Sequence, residues 1–243
     1  MRGLILAVQF LTRLPTPTLR EFDPAWLASS SRWFVVVGGI IGGVLCVPFV
    51  VFNVEPWLAA WLTLLVWVWV TGGLHLDGLA DLADGLGAAH RDPARFLAVL
   101  KDPHLGSFGV LALVLQLLSK LILLMLCARY AMSAWYLVLI PAWARLCTVW
   151  WSASLPALSD GGSAERFAWQ PHWPTFWLGW CVLVGLSAFF APTLLLCSGM
   201  AIVYRAFLRR RLGGMSGDCL GAGVELLETG MLAAWLMGMV LMK

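Results

Sequence analysis

The chain has 243 residues, of which 61% are hydrophobic and only 12% charged, against about 45–50% and about 25% in ordinary soluble domains. That excludes a typical water-soluble globule. The net charge of +3 comes with Arg residues in clusters rather than on a continuous basic face, so these read as topology signals and no nucleic-acid partner is expected.

In chain order, the first element is the short apolar run 4–11, preceded by Arg2 and closed by Arg13 without a small-residue cleavage site. No signal peptide is expected. Leu4, Ile5, Val8 and Leu11 share a helical face, which suits a helix lying on a membrane surface or one packed loosely at the terminus. Apolar stretches then reach or approach the roughly 20 residues that cross about 30 Å of hydrocarbon. They cover residues 33–52, 57–76, 107–127, 131–150, 173–190, 192–208 and 219–242. The expected fold is all-α: a polytopic transmembrane helical bundle of about seven spans, forming one integral membrane domain over residues 1–243. Ala191-Pro192, after Phe189 and Phe190, reads as a tight turn between two short spans. Trp33, Trp57, Trp150, Trp151 and Trp173 fall near span ends and suit an interfacial aromatic belt. Gly38-Gly39 and Gly42-Gly43 repeat small residues at a spacing that lets another helix approach closely.

Because Lys and Arg are retained on the cytoplasmic side, Arg2, Arg13, Arg20 and Arg32 place the N-terminus in the cytosol. Counting crossings then brings the loop bearing Arg91, Arg95 and Lys101, and the run Arg209-Arg210-Arg211, to the same side. The turn at Pro192 is needed for that count to obey the rule.

The most informative stretch runs from Gly72-Gly73-Leu74-His75 through Asp77-Gly78, Asp81 and Asp84-Gly85. A helix starting at Asp77 would put the three carboxylates within about 60° of one another over about 10 Å of axis. No Lys or Arg lies among them, so they repel unless a cation sits between them. A solvated acidic face is the alternative. All-oxygen donors favour Mg²⁺ or Mn²⁺ over zinc, and Mg²⁺ binds through few carboxylates together with substrate phosphates, which suggests phosphoryl chemistry. His75 would join the site or serve as a hydrogen-bonded structural residue, pointing away from the Asp face if the helix began that early.

Two further constellations follow. In Lys101-Asp102-Pro103-His104-Leu105-Gly106, Lys101 offers charge, Asp102 another oxygen ligand and the glycine a close backbone approach; a plain connecting loop is the alternative. In Gly213-Gly214-Met215-Ser216-Gly217-Asp218, a glycine-rich turn enters a helix, exposing amides that suit phosphate. Ser216 can cap that helix, and Asp218 either complements its dipole or completes a metal site. Lys120, Arg145, Glu225 and Glu228 lie within apolar spans and should face the bundle interior, as ion pairs or as substrate contacts. The six cysteines are dispersed without metal-ligand spacing, so neither zinc nor disulfides are expected.

Together these residues resemble the cobalamin synthase family, the adenosylcobinamide-GDP ribazoletransferases. The family pattern is a G-G-x-H-x-D-G-x-A-D-x-x-D-G core, a K/R-D-x-x-x-G loop and a late G-G-x-[ST]-G-D-x-L-G-A segment. They occur here in the same order from Gly72, Lys101 and Gly213. Phe10-Leu11-Thr12-Arg13-Leu14-Pro15 is similar to the family N-terminus. Ser216 replaces the commoner Thr and Pro103 the commoner Ser, and residues 152–173 match nothing in the pattern.

The resemblance implies a multi-pass, Mg²⁺-dependent transferase of the bacterial cytoplasmic membrane, with its site facing the cytosol. A ribose hydroxyl of α-ribazole, or of its 5′-phosphate, would be joined to the cobinamide phosphate of adenosylcobinamide-GDP as GMP leaves. Asp77, Asp81, Asp84 and Asp218 would hold the metal, and one of the first three or His75 would accept the hydroxyl proton. Lys101, Asp102, Arg91, Gly214, Ser216 and Gly217 would line the phosphate-binding part. The bilayer is the other partner, and homo-oligomerisation stays open. A CDP-alcohol phosphotransferase is the runner-up, although its D-x-x-D-G-x-x-A-R spacing is not reproduced. An ion-coupled transporter would place acids at the midplane of broken helices, whereas these gather at one interface.

Overall fold

The computed structural model describes residues 2–18, 26, 29–89, 93–100, 102, 104–158 and 171–241. These fold into α1 (Arg2–Leu11), α2 (Phe34–Val51, entered through the 3-10 turn Ser31–Trp33), α3 (Pro56–Thr71), α4 (Leu74–Ala89) and α5 (Pro93–Leu100). After them come α6 (Ser107–Arg129), α7 (Trp135–Ser154), α8 (Trp173–Phe190), α9 (Leu196–Arg211) and α10 (Gly217–Leu241). Among the described residues there is no strand, only a parallel bridge between Ala157 and Met215. The all-α expectation holds.

Among the described residues, four helices are long and apolar enough to cross a membrane: Ser31–Val51, Ser107–Arg129, Trp173–Phe190 and Gly217–Gly238. The pair α3 and α4 adds a fifth only if counted together, and it is bent by 86°. The sequence reading of about seven spans is thus approximate. Its second stretch, 57–76, is cut at Thr71, where Gly72 and Gly73 both take positive φ (62° and 70°) and end the helix in the left-handed region that glycine enters without cost. Beyond the bend α4 turns 86° away from α3, and by itself it is not one of the four spanning helices. The break at Pro192 is present as a 3-10 turn, Pro192–Leu195, between α8 and α9.

α7 and α10 form the centre of the bundle. Trp143, Arg145, Leu146 and Trp151 of α7 are almost fully buried, and 72% of the apolar window of α10 is covered by protein against 11% for α8, so α8 is peripheral. Trp151, expected at an interface, is instead a core residue whose Nε1 donates to the Ala201 carbonyl at 3.0 Å. α1 packs Leu6, Ala7 and Leu11 inward, with Leu4 and Val8 partly covered; it is a packed terminal helix. All six cysteines are free thiols.

The Gly38/Gly42 spacing is used against α7. A Cβ at Gly38 would lie 2.5 Å from the Pro141 carbonyl oxygen, and one at Gly42 would collide with the Leu137 carbonyl, the group that Pro141 leaves without its helical donor. Gly42→Leu should therefore cost at least the roughly 1–3 kcal/mol of an overpacked core, seen as earlier loss of folded protein on heating in detergent. Gly43→Leu should leave the melting curve unchanged, because a Cβ there meets nothing within 4 Å.

Inside the bundle the four ionisable residues pair with one another. Lys120 Nζ lies 2.7 Å from both Glu225 and Glu228, Arg145 pairs with Glu228, and the Lys120 ammonium sits 4.3 Å over the Trp67 ring. Gln116 Nε2 donates to the Glu225 carboxylate at 2.8 Å. Two cations and two carboxylates balance, which is what lets them stay charged away from water.

Candidate active site

The site forms where α4 crosses the start of α10. Two glycines make the crossing close: a Cβ at Gly78 would meet the Asp218 backbone at 2.8–2.9 Å, and one at Gly221 would meet the His75 Cα at 3.3 Å. α4 starts at Leu74 rather than Asp77, which settles the position of His75. It is buried with Leu79 and Leu82, while Asp77 is exposed and Asp81 half-buried; His75 and Asp77 both border a cavity that reaches Asp218.

Asp77, Asp81, Asp84 and Asp218 stand close enough to repel one another. Partial burial, then the charges of Asp77, Asp218 and Asp84, push the Asp81 carboxyl up to about 6. No three His, Cys, Asp or Glu side chains among the described residues converge into a ready-made metal cage. The donor set is open and all-oxygen, the kind Mg²⁺ accepts when substrate phosphates supply the remaining ligands.

Asp84 has a partner that no sequence pattern revealed. α6 begins at Gly106, which has no side chain to cap it. Asp84 caps it from α4 instead: Oδ2 accepts from the Gly106 amide at 2.8 Å and Oδ1 from the Gly109 amide at 2.9 Å. The first and second motifs are thereby bound to each other, and a Cβ at either glycine would run into the carboxylate. Charge-assisted bonds to a helix N-terminus contribute about 0.5–2 kcal/mol. Asp84→Ala should lower the melting temperature and increase proteolysis around residue 106, and Gly106→Ala should do the same with the carboxylate intact.

The third motif is shaped by its turn. Gly213 takes φ 80°, the Met215 amide donates to the Pro156 carbonyl at 2.9 Å, and Ser216 Oγ accepts from the Cys219 amide at 3.2 Å. Ser216 is therefore the cap of α10, and Met215 is withdrawn from any phosphate cradle. Gly214 is buried against Pro156, while Gly217 and Asp218 face a cavity. In the second motif, exposed Asp102 accepts from the His104 backbone and lies 2.6 Å from its ring, and that hydrogen bond holds its carboxyl below the usual range. Lys101 and Arg91 lie outside the described residues.

Two cavities flank Asp77. One, about 820 Å³, opens beside Gly72, Gly73 and Arg13. The other, about 150 Å³, is walled by α1, α2, α4, α7 and α10 and reaches Asp218. Sequence reasoning missed Thr148 and Ser152, which line the smaller cavity. Their signal was available, since two hydroxyls four residues apart mark one face of a largely apolar helix.

A helical membrane protein with an acidic helix crossing, glycine-enforced contacts and two cavities beside the acids is the class defined by this geometry. The CobS family profile, described as cobalamin-5-phosphate synthase, matches residues 3–236, and the chain belongs to that family. It is 66% identical over 233 residues to a protein of Laribacter hongkongensis named adenosylcobinamide-GDP ribazoletransferase, covering 96% of this chain and 95% of that one. Proteins of the same name from Thiobacillus denitrificans (48% over 230 residues; 94% and 92% covered) and Brevibacillus brevis (37% over 240 residues; 93% and 94%) are also similar. No solved structure matches the chain.

Proposed function

We propose that the chain is an adenosylcobinamide-GDP ribazoletransferase of the bacterial cytoplasmic membrane, Mg²⁺-dependent, with its site on the cytosolic side. The observation that supports this chemistry is that Asp77 and Asp218 lie near enough to Asp81 to raise its proton affinity beside the α4/α10 crossing, with Asp77 bordering both cavities. Asp77 and Asp81, with Asp218, would hold the ion beside the donor pyrophosphate. Asp84 reaches the same cluster but is already engaged by two amides, so its main task is to fix α4. Bound Mg²⁺ would supply charge neutralisation for the pyrophosphate and the departing GMP. The chain itself orients the α-ribazole hydroxyl, or that of its 5′-phosphate, toward the cobinamide phosphate and accepts its proton on an α4 carboxylate. Arg13, on the rim of the larger cleft, would hold phosphate oxygens. The cytosolic orientation rests on the basic residues of the N-terminal segment and the run Arg209-Arg210-Arg211.

The deciding experiment is turnover of adenosylcobinamide-GDP and α-ribazole by purified protein in detergent, with Mg²⁺ and with EDTA. GMP release without a gradient and abolished by EDTA is expected; no turnover under any metal condition would overturn the reading. A pH series adds a second check. The raised Asp81 pKa means that the folded protein holds a proton there below pH 6, so this site costs stability above 6 and that cost is relieved as pH falls toward 3.8. The cation must displace the same proton, so half-saturating Mg²⁺ should rise about fourfold between pH 7.5 and 5.5.

A further inference from the structure

The two cavities beside Asp77 differ in chemistry. The larger is open and bordered by Gln9, Thr12, Arg13 and the left-handed Gly72-Gly73 turn, a setting for an anionic group. The smaller has no Lys or Arg among the described residues that line it. Phe10 and Phe34, which line it, are stacked with centroids 6.3 Å apart and planes 9° apart. The Thr148 hydroxyl donates to the Arg145 carbonyl at 2.8 Å and the Ser152 hydroxyl to the Val149 carbonyl at 3.0 Å, so both oxygens are left to accept. His75 is buried, with no hydrogen-bond partner for Nδ1. A buried polar nitrogen without a partner is costly unless something completes it. Asp77 and Asp218 stand at one end of this cavity, where the ribose hydroxyl would lie, and the rest of its described lining offers aromatic faces, the two hydroxyls and an imidazole, a setting for a flat, uncharged heterocycle; about 150 Å³ holds a base rather than a whole nucleotide.

We propose that this cavity, walled by Phe10, Phe34, His75, Thr148 and Ser152, binds the heterocyclic base of the acceptor alcohol and so turns its ribose hydroxyl toward Asp77, while the pyrophosphate donor enters through the Arg13 cleft. The inference rests on the transferase reading above and assigns the two substrates to opposite sides of Asp77. The hydroxyl oxygen then attacks the cobinamide phosphorus and its proton passes to a carboxylate. The bond from phosphorus to the GMP oxygen breaks, and GMP leaves with that electron pair.

Filling the cavity tests this. In Ser152→Leu, the KM for α-ribazole should rise about tenfold or more, the scale of a few methylenes placed in a substrate pocket, with the KM for adenosylcobinamide-GDP unchanged. An imidazole riboside, with a smaller base, should lose less. Thr148→Val, which keeps the volume and removes the acceptor oxygen, gives a second reading if Ser152→Leu does not fold: a raised KM for α-ribazole alone. Calorimetric titration of α-ribazole into the donor-free protein should show binding to the parent chain and its loss in the filled variant. Unchanged α-ribazole KM in both variants, or an equal rise for both substrates, would overturn the pocket assignment while parent turnover keeps the transferase reading intact. A parent protein that turns over neither substrate would instead remove the reading on which the pocket depends.

Discussion

Asp77→Asn should abolish turnover while leaving the protein folded. Asp77 is exposed on α4 and borders both cavities, so nothing in the packing depends on its charge, and surface changes of this kind usually stay within about 0.5 kcal/mol of stability. If its carboxylate holds the cation or takes the hydroxyl proton, its loss raises the barrier by about 4 kcal/mol, roughly a thousandfold in rate. Excess Mg²⁺ should recover part of the rate if the defect is cation affinity. Steady-state GMP release, beside a thermal melt in the same detergent, separates the terms; near-normal turnover would leave the acids as a solvated face. Asp84→Ala provides the contrast, because its damage should appear first in the melt.

Glu228→Gln should have the opposite signature, a collapse of stability. Glu228 is fully buried and is the carboxylate shared by Lys120 and Arg145. Its neutralisation leaves two cations facing Glu225 alone, and breaking a buried pair from one side costs about 3–5 kcal/mol, a large share of the roughly 5–15 kcal/mol that holds a domain together. The variant should be recovered in low yield and melt much earlier. Arg145→Met combined with Glu228→Met removes one charge of each sign and should restore most of the loss. A Glu228→Gln protein with a parental melt would mean that the pair is not charged in the bundle.

The helical class, the break at Pro192 and the motifs that carry the acids were legible in the sequence, because hydropathy, proline chemistry and i, i+4 spacing are local properties. The inward orientation of Lys120, Arg145, Glu225 and Glu228 was legible too, with the choice between ion pairs and substrate contact left open until the helices were placed. Asp84 was not legible as a cap: its partners lie 22 and 25 residues away, whereas capping patterns are read over a few residues. The end of α3 was hidden because Leu74 and Leu76 extend the apolar run past the glycines that stop the helix. Thr148 and Ser152 were visible as a polar pair, yet only the neighbouring Phe10, Phe34 and His75 show that they wall a cavity.

The bend at Gly72-Gly73 also bears on how the chain enters the bilayer. α3 is 16 residues long, about 24 Å of helix, short of the roughly 30 Å hydrocarbon layer. A straight continuation would complete the crossing by drawing Asp77, and then Asp81, toward the lipid, where the insertion machinery meets a penalty of up to about 2.5–3.5 kcal/mol for each carboxylate at the core. Two left-handed residues avoid this by diverting α4 along the end of the bundle while leaving α3 beside its neighbours. Replacing either glycine with an L-amino acid that resists positive φ would therefore act during biogenesis, favouring chains whose third helix is misplaced over chains that fold and lack activity.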